Sequence, residues 1–161
     1  MSSSAPLAQM TQYQIAQIND LPVLLELVRE FHEIERLDFD KTLDRQVLYD
    51  FVTHPSWGQV WLIHQEDEVI GYIVLTLSYS LEYRGRDAFI DEFYIRANYR
   101  GQGIGTQTLE FIEQACRSLG VKALHLEVDF KNPEAQRLYH RTGYQRHERF
   151  LMTKLLENQS D

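Results

Sequence analysis

The stretch NYRGQGIGTQTLEF, Asn98 to Phe111, sets Gly101, Gly103 and Gly105 within five residues, behind Arg100 and ahead of an amphipathic run. Glycine loses more backbone freedom on folding than any other residue, so such a cluster needs a reason. A P-loop requires a lysine after its last glycine, and none follows here. A dinucleotide fingerprint requires a third glycine three residues past the second; Thr106 stands there, and the run lies in mid-chain. A plain strand-to-helix turn accounts for flexible residues, but not for helix-opening N–H groups left without side-chain caps. Those free donors, with a partial charge of about +0.5, suit a phosphate or diphosphate, and Arg100 adds a full charge at the edge.

On either side of this junction the pattern is regular. YQIAQI (13–18) alternates as a first strand, and Asn19 or Asp20 can cap a helix with Pro22 in its first turn. Leu21, Leu24, Leu25, Val28 and Phe31 give that helix its apolar face, and a second helical pattern covers 43–52. QVWLIHQ (59–65) and VIGYIVLTLSY (69–79) form a hairpin about Glu66-Asp67-Glu68, and AFIDEFYI (88–95) is a strand running into the glycines. Beyond them, Ile104, Thr108, Ile112, Ala115 and Leu119 make a helical stripe ending at Gly120. VKALHLEVDF (121–130) is a further strand. Asn132 and Pro133 then open a helix that stops at Gly143, and residues 143–156 supply one or two last strands. The order β-α-α-β-β-β-α-β-α-β-β implies an α/β chain of the α+β kind, a mixed, mostly antiparallel central sheet flanked by helices. One domain over 11–157 follows a flexible tail over 1–10.

The chain of 161 residues has one cysteine, Cys116, so neither an internal disulfide nor a cysteine-rich metal site is available. Cys116 reads as core and not as a nucleophile. His64 and His125 on strands and His140 beside Tyr139 show no ligand spacing, so no metal is expected. A net charge of −8 speaks against nucleic acid as a partner. No apolar run approaches the ~20 residues of a membrane span, and the N-terminus lacks a basic-then-apolar leader, so a cytoplasmic protein without membrane attachment is expected.

DEFYIRANYRGQGIGTQTLEF resembles the acetyl-CoA-binding core of the GNAT family of N-acetyltransferases. The hallmark Q/R-x-x-G-x-G/A is met by Arg100, Gly103 and Gly105. The late family pattern is met by Leu126, Val128, Asn132, Ala135, Leu138, Tyr139, Gly143 and Tyr144, and the resemblance spans about half the chain, 69–150. It implies the acyl-CoA N-acyltransferase fold and acetyl-CoA as co-substrate. The co-substrate would be held by Arg100, Gly101, Gln102, Gly103, Ile104, Gly105 and Thr106. The main chain of Phe93, Tyr94 and Ile95, together with Asn132, Ala135 and Tyr139, would complete its site. The resemblance also implies a possible homodimer. A non-catalytic acyl-CoA-binding or regulatory module on the same fold is the alternative.

Amine acetylation sets two proton problems. A lysine-like amine has a pKa near 10.4, so only about one molecule in 2,000 is neutral at pH 7, and a base is worth having. Asp91 and Glu92 are the candidates. Strict alternation puts Asp91 with Phe89, Phe93 and Ile95 and Glu92 with Ile90 and Tyr94, unless a bulge spoils the parity; Glu92 is favoured for its reach. The leaving thiolate needs a proton or a hydrogen bond, and Tyr139 is the candidate donor, two helical turns past Asn132 and on its face. Eight acids against four bases between Glu26 and Asp50 give that segment a net −4, half of the chain's total. This region, with Glu33, Glu82 and Tyr83 as acceptor contacts, suggests a cationic amine: a polyamine, an aminoglycoside or a lysine side chain.

Overall fold

A computed structural model describes residues 10–156. The tail expected over 1–10 lies outside the described residues apart from Met10, as does the expected domain end at Glu157. In chain order the elements are β1 (Thr11–Ile15), α1 (Leu21–Glu35), α2 (Lys41–Thr53), β2 (Gly58–Gln65), β3 (Glu68–Ser80), β4 (Gly85–Ile95), α3 (Ile104–Ser118), β5 (Ala123–Leu126) and α4 (Pro133–Arg141). The strands form one sheet in the order β1-β2-β3-β4-β5. The pairs up to β3–β4 are antiparallel, and β5 runs parallel to β4 after the α3 crossover. This is the mixed, mostly antiparallel sheet that the element order implies.

Local chemistry sets the boundaries. Asp40 caps α2, its Oδ1 accepting from the N–H groups of Thr42 and Leu43 at 2.9 and 2.8 Å. Asn132 caps α4 in the same way, accepting from the Ala135 N–H at 3.1 Å, and Pro133 fills the first turn. The sheet is covered on both faces. Leu24, Leu27 and Val28 of α1 pack on Val60, Leu62, Tyr72, Val74 and Tyr94, with Leu48 and Phe51 of α2 alongside. On the opposite face Leu109, Ile112 and Cys116 of α3 meet Trp61, Ile73, Leu75, Ala88 and Ile90, and α4 adds Leu138 and Tyr139. Cys116 is core, and burial pushes its thiol up to about 11.

Two expectations are corrected. β5 covers 123–126 and not 121–130, because the chain turns away from β4 toward the Asn132 cap. No strand forms among the described residues after α4, and Phe150, Leu151, Met152, Leu155 and Leu156 stand exposed. A strand needs a ladder partner, and the contacts of this segment draw it along the surface instead. The Arg146 guanidinium lies 5.4 Å from the Phe130 ring, and Arg149 makes a two-pronged pair with Glu82 at 3.0 and 3.1 Å.

β3 and β4 meet most tightly at Gly71. A Cβ there would stand 2.2 Å from the Tyr94 carbonyl oxygen, so a side chain could enter only by moving β4. Gly71→Ala should cost about 1–3 kcal/mol, the usual range for overpacking, read as a lowered denaturation midpoint. The free edge of β4 should shift with it and raise the KM for the acyl donor.

Candidate active site

β4 has neighbours on both edges only along its first half. β5 pairs with Asp87–Ile90 and stops at Leu126, so no strand among the described residues pairs with 91–95 on that side. The main chain of Asp91, Glu92, Phe93, Tyr94 and Ile95 therefore faces a wedge between diverging strands, and its polar groups on that edge, apart from the Ile95 carbonyl that Arg100 holds, need a partner in water or a ligand. Within the wedge the β3–β4 register shifts: Val74 faces Glu92 and Leu75 faces Ile90, so Asp91 is the extra residue of a bulge. Parity breaks accordingly. Ile90 lies in the α3-side core while Glu92, two residues on, contacts α1; Glu92 and Tyr94 do share a face.

The end of this edge leads into the glycines. Gly103 is the residue before α3, with φ of 81°, a left-handed conformation that favours glycine, and no side chain caps the helix. Ile104, Gly105 and Thr106 thus begin a helix with uncovered N–H donors, and nothing lies within 4 Å of a Cβ built on Gly101 or Gly103. The donors and the open space fit the diphosphate of acetyl-CoA. Gly105 instead lets α3 close on α4, a Cβ there meeting Leu138 at 3.2 Å. Arg100 donates from Nε to the Ile95 carbonyl at 2.8 Å and lies 5.7 Å from the centre of the Tyr94 ring. It therefore stands where strand edge and cradle join. Gln102 reaches back to the Asn98 carbonyl at 3.3 Å.

The two carboxylates differ in their surroundings. The Glu92 side chain is 19% exposed; its Oε2 is 2.6 Å from His32 Nε2, and its Oε1 accepts from the Tyr72 hydroxyl at 3.0 Å. Burial raises its pKa above the ordinary carboxylate value, and the hydrogen bond and charge of His32 oppose the rise. Asp91 is exposed at the bulge, yet the surrounding chain still desolvates its carboxyl enough to raise its pKa, again with His32 opposing. Glu92 is thus the fixed carboxylate and Asp91 the accessible one.

Tyr139 projects from α4 into the α3-side core, its ring 5.7 Å from that of Tyr144 in an edge-on contact. Its hydroxyl makes no hydrogen bond to the described residues, and burial, with a contribution from Glu35, pushes its pKa above that of free tyrosine. Asn132 spends its side-chain carbonyl on the α4 cap, and that bond also takes up the Ala135 N–H.

The acidic segment is largely satisfied within itself. Glu33 is exposed and pairs with Arg29 at 3.4 Å, while Asp40 and Asp44 serve the start of α2 and Asp50 accepts from Gln46 at 2.9 Å. Glu82 is held by Arg149, which lowers its pKa, and Tyr83 packs on His125 with ring centres 5.0 Å apart. Glu35, at the end of α1, is the acid whose field reaches Tyr139.

An uncapped helix start beside an open strand edge, with a partly buried carboxylate next to that edge, has the donors and the space that a diphosphate-bearing ligand needs. The chain belongs to the Acetyltransferase (GNAT) family, whose model matches residues 22–144. It is therefore an enzyme, an acetyl-CoA-dependent acyltransferase. It is 34% identical over 120 residues to an uncharacterized N-acetyltransferase, YycN, of Bacillus subtilis (strain 168), covering 70% of this chain and 74% of that protein. It is 27% identical over 143 residues to the thialysine N-epsilon-acetyltransferase of Bos taurus, covering 81% of each. Among solved structures, an integron cassette protein from the mobile metagenome of Cole Harbour Salt Marsh superposes with a TM-score of 0.81 at 35% identity, covering 91% of each chain.

Sequence reasoning passed over two polar clusters that tie α1 to the sheet. One is His32 with Glu92 and Tyr72. The signal for it was available, since His32 falls four residues after Val28 and eight after Leu24, on the buried stripe of the helix. The other is Glu30, which accepts from Arg96 at 2.8 and 3.1 Å and from the Tyr94 hydroxyl at 3.0 Å, while Arg96 also donates to the Val69 carbonyl. The Arg96 hydrogen bonds hold Glu30 below its ordinary pKa of 4.5. Its contribution to stability is therefore complete above that value and is lost as pH falls through the lower, folded-state pKa. Glu30→Gln should cost about 1–2 kcal/mol near neutrality. In thermal melts across pH, its difference from the parent should shrink below about pH 4.5.

Proposed function

We propose that this acyltransferase moves the acetyl group of acetyl-CoA to the primary amine of a small cationic molecule, with Glu92 as base and Tyr139 as the donor to the departing sulfur. The observation that carries this reading is the partly buried Glu92 carboxylate, held by His32 and Tyr72 beside the unpaired edge of β4. Acetyl-CoA supplies an activated thioester; the chain binds it, positions it and handles the protons. The N–H groups opening α3 hold the diphosphate, and the main chain at Phe93–Ile95 extends the sheet along the donor's arm. Glu92, its pKa raised by burial, takes the proton that the ammonium must lose, directly or through one water. Tyr139 stays protonated throughout the neutral range. Its raised pKa makes it a hydrogen-bond donor to sulfur first, and the thiolate, with a free pKa near 8.5, leaves without needing the whole proton at once.

The acceptor class is supported by charge and by kinship. Asp91, exposed on the bulge, and Glu35, whose field reaches Tyr139, add negative charge to this region, whereas Glu33 and Glu82 already hold arginines. The bovine relative carries a name that specifies a lysine-like amine.

A panel of diamines, polyamines, lysine analogues, aminoglycosides and neutral amines, followed by CoA release, tests this. Cationic amines should be preferred, and preference for neutral or anionic amines would overturn the acceptor class. Glu92→Gln should lower kcat by about 10²-fold or more and abolish the acid limb of the kcat/KM profile, which in the parent rises with pH as Glu92 ionises. Tyr139→Phe should lower kcat with little change in the KM for acetyl-CoA. A Tyr139→Phe enzyme with full kcat across pH would remove the tyrosine from the reaction.

A further inference from the structure

We propose that His32 is the positioning residue that keeps Glu92 ionised and aimed, so that the competent form of the site is a His32–Glu92 pair sharing a single proton. The proposal rests on Glu92 being the base, and it adds the group that makes a partly buried carboxylate usable.

The geometry limits the protonation states. His32 Nδ1 lies 3.2 Å from the main-chain carbonyl oxygen of Asp38, just past the end of α1. A carbonyl oxygen can only accept, so Nδ1 carries a hydrogen. On the far side of the ring, Nε2 stands 2.6 Å from Glu92 Oε2. With Nδ1 protonated, a neutral ring would turn a lone pair toward a carboxylate lone pair at that distance, so a proton must occupy the gap. The pair is then imidazolium with carboxylate, or imidazole with carboxylic acid.

Two donors oppose the burial that raises the Glu92 pKa, His32 and Tyr72. The Tyr72 hydroxyl of β3, whose own pKa is raised by burial and by Glu92, is a fixed donor to Glu92 Oε1. From β4, Asp91 is the other nearby charge; its field raises the Glu92 pKa, and the bond and charge of His32 offset it. Tyr94, also on β4, is engaged by Glu30. The remaining ring neighbours, Phe31 of α1 and Phe39, are apolar. The side chains of His32 and Glu92 are 14% and 19% exposed, so water has limited access to the bond between them. The carboxylate keeps further lone pairs on both oxygens, so Glu92 can accept a proton from the acceptor amine while still bonded to His32 and Tyr72.

The test is the pH profile of His32→Leu and His32→Gln, assayed with acetyl-CoA and the best amine from the panel. Losing an opposite charge at hydrogen-bond distance moves a carboxylate pKa up by about one unit or more. His32→Leu should therefore shift the acid limb of kcat/KM upward by about one pH unit or more, lowering activity about tenfold on that limb. At high pH, where Glu92 ionises unaided, kcat should return to within about twofold of the parent. His32→Gln, which restores a donor but no charge, should fall between the two, and the KM for acetyl-CoA should not move in either variant. Should the leucine variant fail to fold, the glutamine variant gives the same reading.

A uniform loss at every pH with an unmoved limb would overturn the proposal and leave His32 a packing residue, and an unchanged profile would also overturn it. Glu92→Gln separates the two levels. If that variant loses the limb while His32→Leu leaves it in place, the inference fails and the base assignment stands. If Glu92→Gln keeps the limb, the base assignment itself fails.

Discussion

Strand β4 cannot satisfy both of its edges along its whole length, and the site follows from that. Its first half is bonded on each side, but β5 is only four residues long and leaves at Leu126 to reach the cap of α4. Five residues of main chain are thereby opened at the centre of an otherwise covered sheet. Such groups are costly to desolvate without partners, so the wedge must stay wet or hold a ligand that can bond like a strand. The cradle before α3 lies at one end of this opening, α1 borders one face and α4 the other.

The position of α1 is set by polar contacts as well as by packing. Leu24, Leu27 and Val28 supply the apolar area, but an apolar stripe tolerates sliding and rotation. The Glu30–Arg96–Tyr94 and His32–Glu92–Tyr72 clusters have angular requirements that such a stripe lacks. Partly buried ion pairs add little net stability against well-packed apolar residues, and their value here is in fixing where the helix sits. One of the two clusters contains the proposed base, so the same contacts that seat the helix also hold the Glu92 carboxylate in place.

Much of this was legible from the residues. Hydrophobic period gave the order of elements, because the helices are long and two-sided burial makes the strands strongly apolar. The glycine cradle was legible because its chemistry is local: positive φ, a helix start and a missing cap all lie within six residues of Arg100. What escaped was non-local. Strict alternation puts Glu92 with Ile90 unless a bulge intervenes, and the β3 register supplies that bulge at Asp91. His32 gains its partner only in the folded chain, where the sheet brings Glu92 against it from 60 residues away in sequence. The expected final strands failed for the same reason, since a strand-like sequence says nothing about whether a ladder partner is within reach.

The open edge has one further consequence. A donor held in the plane of the sheet by peptide groups is read by atoms that every residue except proline carries, whereas side chains from 91–95 project above and below that plane. On the proposed reading, recognition of the common acyl carrier and recognition of the individual acceptor lie along perpendicular axes. Drift in the helical and loop surfaces around the wedge can change which amine enters without disturbing how the carrier docks. A single scaffold can in this way be retuned to new acceptors by substitutions that leave its strand geometry intact.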